Sequence, residues 1–383
     1  MNSMVSQVRS LPELIRESTQ HIDDAIRTTL DHEFCLSMKR LFITGCGDSH
    51  HAALNTELAF ESLAGIPTEP MTALQFSHYG VSFLPHTGPG TNVVIGISVS
   101  GEVARTTEAL NLANMAGAET VAVTATPGSR VDQAARRTVF STSSPFPDPP
   151  GVHTPGIRTY TANQLVLLLI AVRLGEVRGR LTTEDANGLR KEILALADAA
   201  EETIEKCDGA ARMLAEKWSD AEDFVFVGSG PSYGTALFSA AKILEASGDP
   251  ALGQDLEEWA HLQYFVKTVP TPTFLINAGE RDLSRAVEVA IAARTIGRRV
   301  VVISPPDRAA LSKEADYFLP LAAGVREAIS PVITAIPGEL FAAYRAEVIG
   351  EPYFRDFGGG RSIEGGGGIS LIRTSELLEE IPG

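Results

Sequence analysis

The sequence predicts an α/β protein built from two similar domains. Each is expected to be a parallel sheet flanked by helices, a flavodoxin-like three-layer sandwich. Three observations predict this. Short apolar runs alternate with helix-period segments, the βαβαβ order that a parallel sheet requires. A glycine-rich turn follows an apolar run twice, at Gly45-Cys46-Gly47-Asp48-Ser49 and at Gly228-Ser229-Gly230-Pro231-Ser232. Three segments also recur in order, at offsets of 183, 178 and 180 residues between Gly45 and Gly228, Gly101 and Gly279, and Gly117 and Gly297.

The elements follow in order. Residues 1–38 form an N-terminal helical segment, with Leu11, Leu14, Ile15, Ile22 and Ile26 at helical spacing. The first α/β domain spans 39–180. Leu41 to Thr44 is a buried strand, the GCGDS turn follows, and an Ala-rich helix runs to Gly65-Ile66-Pro67, a glycine stop with proline beyond. Asn92 to Ser98 is the next strand, and Ser98-Val99-Ser100-Gly101-Glu102 is a second glycine turn leading to a helix over Thr106–Met115. Thr120–Thr124 and Thr138–Phe140 complete the strands. The run Leu165 to Val172 is too short to span a membrane and reads as a buried helix. Residues 181–218 are a helical linker whose Thr182-Thr183-Glu184-Asp185 start is an N-cap signal. The second domain spans 219–325, and 326–383 is a C-terminal helix with a Gly-rich tail.

Composition bounds the function. The chain has 383 residues, 44% of them hydrophobic, and a net charge of −16. So acidic a chain is ill suited to nucleic acid or to an anionic membrane. Three cysteines, Cys35, Cys46 and Cys207, without a CxxC spacing, argue against a disulfide framework or a zinc site and suit a reducing cytoplasm. No apolar signal segment opens the sequence. No metal is expected, because no HxH or HExxH pattern occurs, and no cofactor is implied.

The two glycine turns of the first domain carry the chemistry. A strand, a glycine turn and a helix start form a generic anion-binding device, because the first helical N–H groups and the dipole face the ligand. The second turn adds two hydroxyls, Ser98 and Ser100, whereas its repeat partner is Asn277-Ala278-Gly279-Glu280. The first half is thus equipped for an anion, the second for architecture or another part of the site. Cys46 is expected to be a small buried hydrophobe beside the pocket.

These residues resemble the sugar isomerase (SIS) domain family, and most of all its double-domain members: the isomerase half of glucosamine-6-phosphate synthase and the fructosamine-6-phosphate deglycases. The matching pieces are GCGDS at 45–49, ESLAGIP at 61–67, SVSGE at 98–102, GSGPSYGTA at 228–236, and Glu245 with His261. The resemblance implies a sugar-phosphate site at Cys46, Gly47, Asp48, Ser49, Ser98 and Ser100. It implies Glu245 as the base beside the sugar carbonyl and His261 as the ring-opening acid/base, often supplied by the partner subunit of a homodimer. Asp48, Val99 and Val103 stand where the family usually has Thr, Gln and Thr. An aspartate beside a phosphate calls for a cation, for which Arg105, Arg158, His50 and His51 are candidates. The run Tyr353-Phe354-Arg355-Asp356-Phe357 resembles the deglycase tail and brings Arg355 to the substrate; Gly365–Gly368 suits a lid. Residues 362–383 contain no lysine, and a glutaminase domain is not expected, so glutamine-dependent synthesis is the disfavoured reading. The expected activity is aldose–ketose isomerisation or deglycation of an amino-sugar or ketosamine phosphate through an enediol or enolamine. The alternatives are a non-catalytic sugar-phosphate regulator and an isomerase of a sulfonated or other anionic sugar.

Overall fold

The computed structural model describes residues 2–85, 88, 91–141, 143–267 and 269–362; the Gly365–Gly368 run lies outside them. The chain divides into two compact units. One contains Arg16–Ser144, Thr159–Leu194 and the chain from Phe357 onward. Its strands are β1 (Arg40–Gly45), β2 (Thr68–Thr72), β3 (Asn92–Ile97), β4 (Glu119–Thr124) and β5 (Arg137–Phe140). All pair in parallel, in the order β2-β1-β3-β4-β5. The other unit contains the N-terminal residues through Ile15, Pro145–Arg158 and Ala195–Asp356. Its strands are β6 (Phe224–Gly228), β7 (Ala251–Asp255), β8 (Pro272–Ile276), β9 (Arg299–Ser304) and β10 (Tyr317–Pro320). Their order, β7-β6-β8-β9-β10, is the same topology, again parallel throughout. The two-sheet α/β architecture is therefore as the repeat predicts.

The strand interiors explain why these runs became sheet centres. Val93, Val94, Ile97, Val121 and Val123 are buried, as are Val225, Val227, Leu275, Val300 and Val302. A parallel sheet covered on both faces has no polar face to offer. β2 and β7 escape the sequence reading because they are edge strands: Thr-Glu-Pro-Met-Thr and Ala-Leu-Gly-Gln-Asp are only half-buried and show no apolar run. Leu165 to Val172 is wholly buried within the Arg158–Val177 helix. That helix is long and apolar enough to cross a membrane, but it is covered by protein over most of its length, as a core helix is. The 181–218 segment is one helix, Thr183–Lys217. Its start is a capping box: Asp185 N–H donates to Thr182 Oγ1 at 3.1 Å and Thr182 N–H to Asp185 Oδ2 at 3.3 Å.

The units are discontinuous in sequence, whereas the sequence reading draws contiguous domains. Long-range packing is the reason. The Ser3–Arg9 helix, burying Met4, Val5 and Val8, packs on the Ile336–Ile349 helix, and Asn2 Nδ2 donates to Ala343 O at 2.9 Å.

Both glycine turns have the same backbone. Gly47 has φ 56° and ψ −127°, and Gly230 has φ 52° and ψ −130°. A side chain is strained in that region. Immediately before them, a Cβ on Gly45 would stand 2.6 Å from Ser49 Cβ, and one on Gly228 would stand 2.6 Å from Ser232 O. Each helix thus starts in direct contact with the strand end, which only glycine permits. Gly47→Ala and Gly230→Ala are each expected to destabilise by about 1–3 kcal/mol. Urea-denaturation midpoints check this, and a neutral result at either position would show that the turn relaxes.

Candidate active site

In a doubly wound sheet, ligands bind at the carboxyl ends of the strands where the strand order reverses. In the first unit that point lies between β1 and β3, and both serine-bearing turns leave from it. The Asp48–Ala59 helix begins there with no side-chain cap on its N-terminus. Its second residue, Ser49, is buried against the strand end. Beside it, Ser98 N–H donates to Val123 O at 3.0 Å and Gly101 N–H to Ser98 O at 3.0 Å, closing the turn. Gly101 is left-handed, φ 69°, and a Cβ there would fall 1.9 Å from Ser129 Oγ. Ser98 and Ser129 are both buried, and neither hydroxyl has a hydrogen-bond partner. Two unpaired buried hydroxyls on neighbouring turns leave donor capacity unused inside the protein. Ser129 escaped the sequence reading; the Pro127-Gly128-Ser129 turn before the Arg130–Ala134 helix was its signal. Ser100 is exposed, and its Oγ accepts from Glu102 N–H at 3.3 Å.

The four groups proposed beside Asp48 are placed differently. His51 Nδ1 stands 3.8 Å from Asp48 Oδ1, buried and without a hydrogen bond. His50 does not serve: burial, reinforced by His51, lowers its pKa to about 4, so it is neutral near pH 7. Arg105 donates to Glu108 at 2.9 Å. Arg158 is buried in the second unit, donates to Ser10 Oγ at 2.7 Å and lies over the Phe146 ring at 5.1 Å. Those contacts tie the 145–158 segment to the N-terminal helices. Cys46 is exposed, which corrects the expectation of a buried hydrophobe. Between Gly45 and Gly47 it belongs to the turn and not to a packed helix face.

The equivalent point in the second unit lies between β6 and β8 and is filled differently. Ser229 Oγ donates to Asp255 Oδ2 at 2.9 Å, and Asn277 Nδ2 to Asp282 Oδ1 at 2.7 Å. The Glu327 carboxylate occupies the space over Gly279, where a Cβ would lie 2.3 Å from Oε1. Three carboxylates exclude an anionic ligand there.

Glu245 lies in the last turn of the Pro231–Ala246 helix, its side chain 25% exposed. Two glycines bring other backbone onto this helix: a Cβ on Gly253 would meet Leu237 Cα at 2.5 Å, and one on Gly338 would meet Ser239 Oγ at 2.4 Å. Lys242, fully buried, is paired with Glu245, and its ammonium lies 4.9 Å from the Phe238 ring centroid. The sequence reading missed Lys242, although an i,i+3 lysine–glutamate pair on an otherwise apolar helix was its signal. Just past the helix, Gly248 faces Arg355, whose Cδ would be 2.8 Å from a Cβ there. Arg355 also donates to Glu351 at 2.9 Å and sits in a left-handed run, Phe354–Phe357. His261 is 68% exposed, and its Nε2 is 3.1 Å from Glu257 Oε1. It faces outward from its own chain.

Comparison with known proteins places this geometry. Residues 36–173 match the SIS domain model. Glutamine–fructose-6-phosphate aminotransferase (isomerizing) of Gloeobacter violaceus is 27% identical over 347 residues, covering 90% of this chain and 55% of that protein. The enzyme of the same name from Halobacterium salinarum is 28% identical, covering 91% and 57%. The chain thus spans just over half the length of these curated relatives. Among solved structures, the C-terminal domain of glucosamine-fructose-6-phosphate aminotransferase from Francisella tularensis superposes with a TM-score of 0.77 at 18% identity, covering 91% of this chain and 96% of that one. Tagatose-6-phosphate ketose/aldose isomerase from Escherichia coli gives 0.69 at 16% identity, covering 92% and 94%. These similarities bear out the resemblance to double-SIS proteins, and the structural ones speak to the fold.

Two outcomes follow for the first turn. Burial pushes the Cys35 thiol to about 11 and that of Cys207 to about 12, so Cys46 alone is expected to react quickly with a maleimide at pH 7. Mass-spectrometric mapping of the label checks this. For His50, the unfolded chain binds a proton near pH 6.5 while the folded chain resists until about pH 4. Between those values the unfolded state holds more protons, so stability rises with pH and is lost as pH falls. His50→Gln is expected to flatten that slope in denaturant titrations run from pH 7 to pH 4.

Proposed function

We propose that this SIS-domain chain is a sugar-phosphate isomerase acting by proton transfer. The observation that carries the reading is the first switch point: an uncapped helix N-terminus next to two buried hydroxyls without partners. Helix N–H groups with Ser49, Ser98, Ser100 and Ser129 hydroxyls suit the three oxygens of a phosphate. His51 Nδ1 stands beside the aspartate, 3.8 Å from Asp48 Oδ1.

Glu245 is the base. It takes the proton from C2 of the open-chain aldose, giving a cis-enediol, and returns a proton to C1; the ketose-to-aldose direction reverses the two. Lys242, bonded to that carboxylate, holds its orientation. In deglycation of a ketosamine phosphate the ketose-to-aldose order applies: Glu245 takes the C1 proton and returns one to C2, giving an imine at C1 that water hydrolyses to the aldose phosphate and the free amine. Arg355, packed over the turn that follows Glu245, is the residue that favours a substrate with such an added group. The outward-facing His261 would be offered to the site of a second copy in a homodimer, opening the ring before enolisation. Exposed Leu262 and Phe265 immediately after it supply apolar surface for that contact.

Glu245→Gln keeps the shape of the side chain and removes its basicity. Phosphosugar affinity should hold while turnover drops about 10²-fold or more, the scale of general-base catalysis. Solvent-deuterium exchange at the carbon beside the carbonyl, followed by NMR, is the test: wild-type exchange by Glu245→Gln would assign the base elsewhere. Ser98→Ala with Ser100→Ala should weaken phosphosugar binding about tenfold or more, since a hydrogen bond to a charged group contributes roughly 1.5–3 kcal/mol. Unchanged affinity in calorimetry would remove the anion site from this turn.

A further inference from the structure

The second switch point has the backbone of a ligand site and the wrong charge for a phosphate. Its side chains present oxygen acceptors. Asn277 is 1% exposed, and its Oδ1 has no hydrogen-bond partner. Its Nδ2 is committed to Asp282 Oδ1 at 2.7 Å, which fixes the amide with Oδ1 as the unused acceptor. Asp282 stands at the N-cap position of the Leu283–Thr295 helix, yet its side chain makes no cap bond and turns to Asn277 instead. Glu327 covers Gly279 from the other side, and the exposed Arg281 reaches it at 3.4 Å.

We infer that this cluster, at the carboxyl ends of β6 and β8, is a binding site for a primary ammonium group, held by Asn277 Oδ1, Asp282 and Glu327. A primary ammonium carries three N–H donors and no acceptor, which matches one amide oxygen and two carboxylates. Among the described residues no group of three His, Cys, Asp or Glu side chains is arranged to hold a metal ion. Charge balance supports the site. Burial holds the Asp282 carboxyl above its ordinary range, and Glu327 and Asp255 push it the same way. A cation here would offset that repulsion. The ligand class is a small amine-bearing metabolite, and its binding is separate from turnover at Glu245.

The test uses the full chain and three probes at pH 7. Ethanolamine carries the ammonium, choline carries the same charge without N–H donors, and ethylene glycol carries neither. Calorimetry should show saturable binding of ethanolamine alone. Asn277→Ala and Glu327→Gln should each weaken it about tenfold or more, from the loss of a charge-assisted hydrogen bond, while Ser98→Ala leaves it unchanged. Asp282→Asn should raise the melting temperature of the probe-free chain and abolish the ethanolamine response. Choline binding as well as ethanolamine would reduce the effect to general attraction by an acidic chain and overturn the site. So would Asn277→Ala or Glu327→Gln variants that melt cooperatively and bind ethanolamine as the wild type does.

Discussion

The structure depends on one steric constraint, met twice: a helix must begin in contact with the end of the strand that precedes it. Gly45 against Ser49 and Gly228 against Ser232 leave no room for a Cβ. Gly47 and Gly230 then turn the chain through a backbone conformation that side chains resist. With that turn fixed, the helix N-terminus lies at the switch point of the sheet, and whatever the neighbouring strand delivers there becomes the lining of a site. The same parallel sheet order around both turns is the architectural consequence.

Identical backbones have been given opposite contents. At the first switch point the lining is hydroxyl-rich, and the buried oxygens of Ser98 and Ser129 are donors without an acceptor. At the second, Asp255, Asp282 and Glu327 crowd the turn, and the unused group, Asn277 Oδ1, is an acceptor without a donor. Unpaired buried polar atoms cost free energy unless something external completes them. The two turns thus differ in lining, hydroxyls at the first and carboxylates at the second.

The Pro231–Ala246 helix shows how packing equips a single carboxylate. Gly253 and Gly338 admit neighbouring backbone so closely that the helix is clamped at its middle turn, residues 236–239. Lys242 is then buried with its ammonium turned to Glu245 and the Phe238 ring. A buried lysine is costly unless paired, so the pair holds the carboxylate in place while a quarter of its surface stays open to a ligand.

Much of this was legible in the sequence, for reasons that are local. Apolar runs such as Val93 to Ile97 can only be central strands of a covered sheet, glycine turns need glycine, and a repeat at constant offset preserves order. The fold class, the two sheets, the Thr182 cap and the turns at Gly45 and Gly101 follow from that. The edge strands β2 and β7 did not, because an edge needs no apolar run. Nor did the exposure of Cys46, the approach of His51 to Asp48, the burial of Arg158, or the pairing of Lys242 with Glu245. Those outcomes rest on which groups lie within about 4 Å after folding and on how deeply each is buried. Spacing along a chain carries neither quantity; the sequence determined which side chains were available, and tertiary packing decided which of them were left with an unused proton donor or acceptor to offer a ligand.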